Sequence, residues 1–542
     1  MLDLNYRIIL LLILLNDLYG QPDSRFRPFD WVLYGGASTI SSITEGYTFA
    51  YIGTGSGGLK RFNLYGNYFD EPITTAQGLK NNNITAVHFD KSTGLLWVST
   101  PDHIQYSFSR EGDWYAFDLQ NLGLSKYDQV KQVGSSNSYI WLRARSSFVK
   151  LDHSSGTLIG IYPSPDELDI EWSSGKYTGQ SDIKEILLNY HILDGWTLNG
   201  NQLLDRIGRI STISTGFIGN HGNVFLGSDN GVIFYGTTTM ETLSPIIPDI
   251  ENTDVLSLIY DGDELWIGSQ DFVRSKGISN LDIRSFTSNM YSFEETINMT
   301  PSSIYSLYHS NYELWAGGEG LILYFDEKDD YWRTLCEGRG APEGKIWDLY
   351  GDEIHIWAGS SSGIRRIDRA TMSEDPTGIE TYFEQRPVYD IEGIEDLIWI
   401  GSRMGLFIFS NDNPQLLQAT DMGRKNFPER LYKITAIEEY NRVIYIVGEM
   451  GIAKFDMEEK EWDLLFPSGI YHSKTIYSMA VNDKHVFLGT DKGLMRINKR
   501  TGLIKDYLFP FIGQVNEIVL EDKTVWLGTT TGLVKFKWKR DL

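Results

Sequence analysis

Seven tetrapeptides recur through the second half of this 542-residue chain: VLSL, IYSL, IWDL, VYDI, LYKI, IYSM and VNEI, each with apolar ends and a polar third residue. Those third residues are Ser257, Ser306, Asp348, Asp390, Lys433, Ser478 and Glu517. Hydroxyl, carboxyl and ammonium groups repeated in one register could line a site for a polar or glycan ligand, and Asp348, Asp390 and Glu517 could supply a carboxylate pair for hydrolysis or elimination. The plainer role is a hydrogen bond from each to neighbouring backbone, which a buried polar group needs in any case. The choice depends on which element repeats and how its copies stand together.

Other chemistry is thinly represented. There is no HExxH, no P-loop and no GxSxG elbow, and the nine histidines are scattered. The Asp-box of sialidase-type propellers is also missing. A single cysteine, Cys336, gives neither a disulfide framework nor a thiolate cluster, so no metal or cofactor is expected. Forty-eight basic against 72 acidic residues give a net charge of -24, which disfavours nucleic acid and anionic lipid as partners.

The elements behind the tetrapeptides are strands. An aromatic residue followed by a small-residue turn recurs at Tyr51, Trp97, Trp141, Phe225, Trp266, Trp315, Trp357, Trp399, Tyr445, Phe487 and Trp526, at intervals of 39 to 49 residues with one of 84. Each unit reads as four short strands in about 42 residues, with glycine at the tight hairpins and the aromatic placed to wedge between neighbouring sheets. A sheet of this size cannot bury both faces alone, so the units must stack around an axis. The fold expected is all-β: tandem β-propellers of 11 to 12 four-stranded blades, more than one propeller of ~4–8 blades can hold.

The N-terminal RFRPFDWVLYGG matches the outer strands of other units, while the chain ends on a third strand, so the N-terminal strand is expected to close the last blade. Residues 1–20, with Arg7 before an apolar run from Ile8 to Leu15 and a small residue, Gly20, before a polar stretch, read as a signal peptide and imply export to the periplasm, the outer membrane or the exterior. The expected division is a first propeller over 21–245, either self-contained or completed by C-terminal blades, and a second with the closing blade over 246–542. An insertion at about 160–210 carries Trp172 and Trp196 outside the period and reads as a long loop or hairpin.

The string GLKNNNITAVHFDKSTGLLWVST, with LWIGS, IWAGSSSGIRRID and IWIGSRMGLFIF, resembles the two-component-regulator propeller repeat. That resemblance covers nearly all of the mature chain. It implies paired propellers like those in the periplasmic sensor halves of hybrid histidine kinases, or in an exported accessory protein of the type IX secretion system. With the last repeat running to residue 542, neither a kinase nor an immunoglobulin-like or sorting domain is expected after it.

The expected activity is therefore non-enzymatic binding of an envelope protein or surface glycan, with a stand-alone sensory module and a polysaccharide lyase or hydrolase as the alternatives. Besides the inner ring, the hairpin tips between second and third strands, carrying Arg143, Arg145, Asp229, Asp271, Glu319, Arg403, Glu449 and Asp491, are the candidate partner-binding residues.

Overall fold

Alternating apolar residues, β-branched and aromatic, with glycine at the hairpins, give each repeat four antiparallel strands. The computed structural model describes residues 25–542 apart from 175–179, 201, 207, 251–252, 271–276, 292, 294–301, 411–413 and 425–430; the signal-peptide segment and Asp271 lie outside the described residues. The described residues form eleven sheets, nine of exactly four strands and two enlarged by strands from the insertion. The fourth strand of the last sheet is Trp31–Tyr34, beside Gly532–Phe536, so the N-terminal strand closes the last blade as expected. Trp31 stacks on Phe536 at 3.7 Å between ring centroids.

The chain divides into two compact units: residues 1–251 with 281–289 and 535–542, and residues 252–280 with 290–534. In the second unit seven innermost strands stand side by side: Val255–Asp261, Ser306–Ser310, Ile346–Gly351, Val388–Ile394, Ala436–Tyr440, Ile476–Val481 and Val515–Leu520. The last also neighbours the first, so the seven blades form a closed ring. Blades are numbered here in that order. The aromatic of each blade is the wedge against the next: Trp315 packs on Ile346, Leu349 and Ile356, Trp357 on Val388 and Ile391, and Trp399 on Ile434 and Ile437. Burying one such indole removes about 150–250 Å² from water, roughly 4–6 kcal/mol gross.

The first unit holds four blades, whose innermost strands Ile210–Ile218, Ile40–Glu45, Ala86–Asp90 and Gln132–Ser135 are neighbours in that order. The insertion supplies caps for the two blades at the ends of this row, where each would otherwise expose an apolar face. On one end blade, Trp141 donates its indole N–H to Glu167 at 3.0 Å, and Lys150 pairs with Asp166 and Glu167 while lying over Tyr139. On the other, Ile183, Ile186 and Leu187 of the helix Gln180–Asn189 pack with Val224, Leu226 and Phe234, and Trp196 meets Phe234 edge-on. Between them Glu171–Trp172 pairs with the inner edge of Gln132–Ser135, and Ser174 then bonds the backbone of Ile43. The doubled interval thus contains a strand, a helix and the hairpin Thr197–Leu204.

Lys60 and Asp249, each about 1% exposed, form an ion pair inside this unit, and Lys60 also donates to the Gly35 carbonyl at 3.0 Å. The pair anchors the segment that follows Thr242–Ile246, the last strand of the Ile210–Ile218 blade.

Candidate functional site

Six of the seven expected ring residues lie on the innermost strands of the seven-bladed unit. Ser257, Ser306, Asp348, Asp390, Ser478 and Glu517 each stand nine positions before their blade's aromatic, and all but Lys433 pair across from the residue two beyond it. Lys433 does not share that register. It is exposed in the turn before Ala436–Tyr440, and Ala436, opposite Val447, takes the ring position on blade five. The string that matches the other blades there is ITAI, three residues after LYKI begins.

Most of this ring fastens blade to blade. Ser257 donates to the Ile304 carbonyl at 3.4 Å and Ser306 to that of Ile346 at 3.1 Å. Asp348 accepts the Ile391 N–H at 2.7 Å and Asp390 the Ile437 N–H at 2.5 Å. The two aspartates also share a hydrogen bond, and burial raises both pKa values, that of Asp390 further because Asp348 lies beside it. Glu517 accepts the N–H of Ile518, next in sequence, and burial pushes it up to about 7. The Ser478 hydroxyl is buried with no partner among the described residues.

Two further layers complete the channel. Two positions deeper lie Tyr308, Tyr350, Glu392 and Glu438. Tyr308 donates to the Gly351 carbonyl of the next blade at 2.7 Å, and Tyr350 lies over Gly393, where any Cβ would fall 1.9 Å from the ring. Burial raises Glu392 and Glu438 to about 8, with Asp348 and Glu439 adding to the first and Glu392, Glu517 and Glu439 to the second. Both side chains keep partial solvent access while protein surrounds them, as groups lining a narrow axial channel do.

One position above the ring is a layer the sequence reading passed over: Leu256, Tyr305, Trp347, Tyr389, Thr435, Tyr477 and Asn516. In five blades this residue is the extra one of a β-bulge, which turns a side chain out of the ladder. Trp347 is 36% and Tyr477 41% exposed, unusual for aromatics on innermost strands. Two blade boundaries are bridged at this level: Tyr305 meets Trp347 at 5.6 Å, and the Asn516 amide donates to the Val255 carbonyl at 2.8 Å. The signal was present in the second letter of each tetrapeptide.

The hairpin tips open on the same end of the channel. Arg403 N–H donates to Pro387, Lys433 to Arg403 and Glu449 to Tyr432, joining tips to the loops that enter the innermost strands. Arg145, Glu319, Arg403 and Glu449 are exposed. Asp229, also exposed, and the half-buried Asp491 accept backbone N–H groups of Thr212 and Thr475, and the half-buried Arg143 donates to Gln132 and faces Phe148. No group of three or more His, Cys, Asp or Glu among the described residues is arranged to hold a metal.

No family model matches the chain, and no curated protein does. Among solved structures it is similar to the extracellular domains of two putative hybrid two component systems from B. thetaiotaomicron. One is 13% identical, covering 92% of this chain and 70% of that one, with a TM-score of 0.42; the other is 16% identical, covering 91% and 75%, with a TM-score of 0.41. The computationally designed Ika8 protein matches 59% of the chain over 94% of its own length, at 15% identity and a TM-score of 0.39. The closed ring of seven antiparallel four-stranded sheets makes this chain a β-propeller protein.

Proposed function

We propose that this protein is an exported binding protein that engages an envelope ligand through the mouth of the axial channel in its seven-bladed unit. The observation that carries this reading is the aromatic collar. Trp347 and Tyr477 hold large apolar side chains at the solvent, with the half-buried Tyr305 and Tyr389 beside them, where the innermost strands begin and on the end where the tips open. Exposed aromatics grouped on one rigid surface mark recognition surfaces more often than packing. The polar ring beneath contributes the rigidity that keeps the collar in place.

A location outside the cytoplasm rests on the N-terminal leader pattern, and no described helix is long and apolar enough to cross a membrane. The test is a cross-linked affinity capture from native envelope, comparing the mature protein with a Trp347→Ala/Tyr477→Ala variant of unchanged melting temperature. Captured material should fall at least about tenfold, the equivalent of ~1.4 kcal/mol. Equal capture by both proteins would overturn the assignment of the mouth.

A further inference from the structure

We propose that the collar's gap at blade five takes the ammonium or guanidinium end of a lysine or arginine side chain presented by a protein partner, an inference that rests on the mouth being the binding site. The collar is uneven. Large rings stand at blades two, three, four and six, but blade five places Thr435 in the collar and Ala436 in the ring below it. Thr435 and Ala436 put small side chains in two successive layers between the blades that carry Tyr389 and Tyr477. Beneath them stands Glu438, with Glu392 on the preceding blade, and neither carboxyl group has a hydrogen bond or ion pair among the described residues.

The collar already shows what its ring faces hold. The chain's own Lys345 sets its ammonium 5.0 Å from the centroid of Tyr305 and 5.6 Å from that of Trp347. Tyr389 and Tyr477 would present ring faces to a second cation in the same manner, and the two glutamates would supply the charge that a desolvated cation needs. The groups acting on Glu438 are Glu392, Glu439 and Glu517, all acidic, and the group named beside Glu392 in addition is Asp348. Arg403 and Lys433 lie exposed at the rim. A protein is the source favoured because the apolar surface continues outward over Met404 and Tyr432, 37% and 40% exposed, forming a broad face rather than an enclosed pocket.

Because burial and like charge hold these glutamates protonated near neutral pH, an entering cation would displace protons into solvent. Isothermal titration of the mature protein with the peptide Gly-Ser-Lys-Ser-Gly, in two buffers of different ionisation enthalpy, reads both binding and proton release. The lysine peptide should bind with proton release at pH 7 and about tenfold more tightly at pH 8 than at pH 6. The same peptide with norleucine should bind at least about tenfold more weakly, and Glu438→Gln, checked for folding by its melting curve, should lose the proton release.

Equal binding of the norleucine peptide, no saturable binding at millimolar lysine peptide, or unchanged proton release in Glu438→Gln would each overturn the inference. If collar variants lose envelope capture while Glu438→Gln keeps it, or if the captured material is glycan held equally by Glu438→Gln, the binding mouth stands and its cation specificity falls.

Discussion

Stability should fall as pH rises through neutrality, and Glu438→Gln should remove part of that fall. Glu392 and Glu438 titrate near 8 in the folded chain against an ordinary value of 4.5. Between those values the native state binds more protons than the unfolded chain, so stability is lost with increasing pH. From pH 6.5 to 8.5 each group taken at face value accounts for about 2 kcal/mol, and about 1 kcal/mol once screening by water in the channel is allowed for. Two groups then give a drop of about 2 kcal/mol, or about 4–8 °C for a unit of this size.

Within this window Glu517, pushed up to about 7, adds to the fall with the same sign, about 1 kcal/mol before screening and chiefly below pH 7.5. His88, lowered to about 4 by burial, acts with the opposite sign but only below its ordinary 6.5, and Asp152, lowered to about 2 by hydrogen bonds from Ser154 and Ser155, has its full effect well below pH 6.5. The assay is thermal unfolding by circular dichroism at half-unit intervals. Glu438→Gln should cut the slope by about 40% and raise the melting temperature at pH 8.5. A wild-type curve flat across the window, or a variant curve parallel to it, would refute a buried carboxyl layer.

Trp399→Ala, which empties the wedge between blades four and five, should cost about 3–5 kcal/mol in denaturant unfolding. Lys60→Met or Asp249→Asn alone should each cost about 3–5 kcal/mol by stranding the buried partner, while the double Lys60→Met/Asp249→Leu should recover most of that loss in the same assay. Trp172→Ala should destabilise the four-bladed unit by about 1–3 kcal/mol, seen as faster proteolysis confined to residues before 251, because it uncovers Phe148 and the backbone at Gly134. Tyr477→Ala should leave the melting temperature within about 2 °C, since its ring is largely outside the core.

The blades could be read from the sequence because each must present the same wedge and the same hairpin, and that need repeats in the chain as an aromatic every 39 to 49 residues. The ring register was equally open to counting: nine residues separate Asp390 from Trp399 and Glu517 from Trp526, whereas twelve separate Lys433 from Tyr445. Apolar ends alone admitted LYKI in place of ITAI. The caps were hidden for the opposite reason. Glu167, Ile186 and Trp196 each answer one particular exposed face, so nothing about them recurs. The collar was overlooked because an aromatic beside a polar ring reads as packing, and only its exposure and the bulge beneath it separate Tyr477 from a core residue. The buried carboxyl groups of the ring and of the layer beneath it come from blades three, four, five and seven, a grouping set by ring closure rather than by local spacing.

The most direct test of the binding mouth is site-specific photo-crosslinking in native envelope, with benzoylphenylalanine placed at Tyr477 in the collar or at the exposed Ile354 on the opposite, first-hairpin end of the same unit. A saturable adduct at 477 and none at 354 is the expected result. Adducts at 354 alone, or equally at both positions, would contradict a ligand site at the channel mouth.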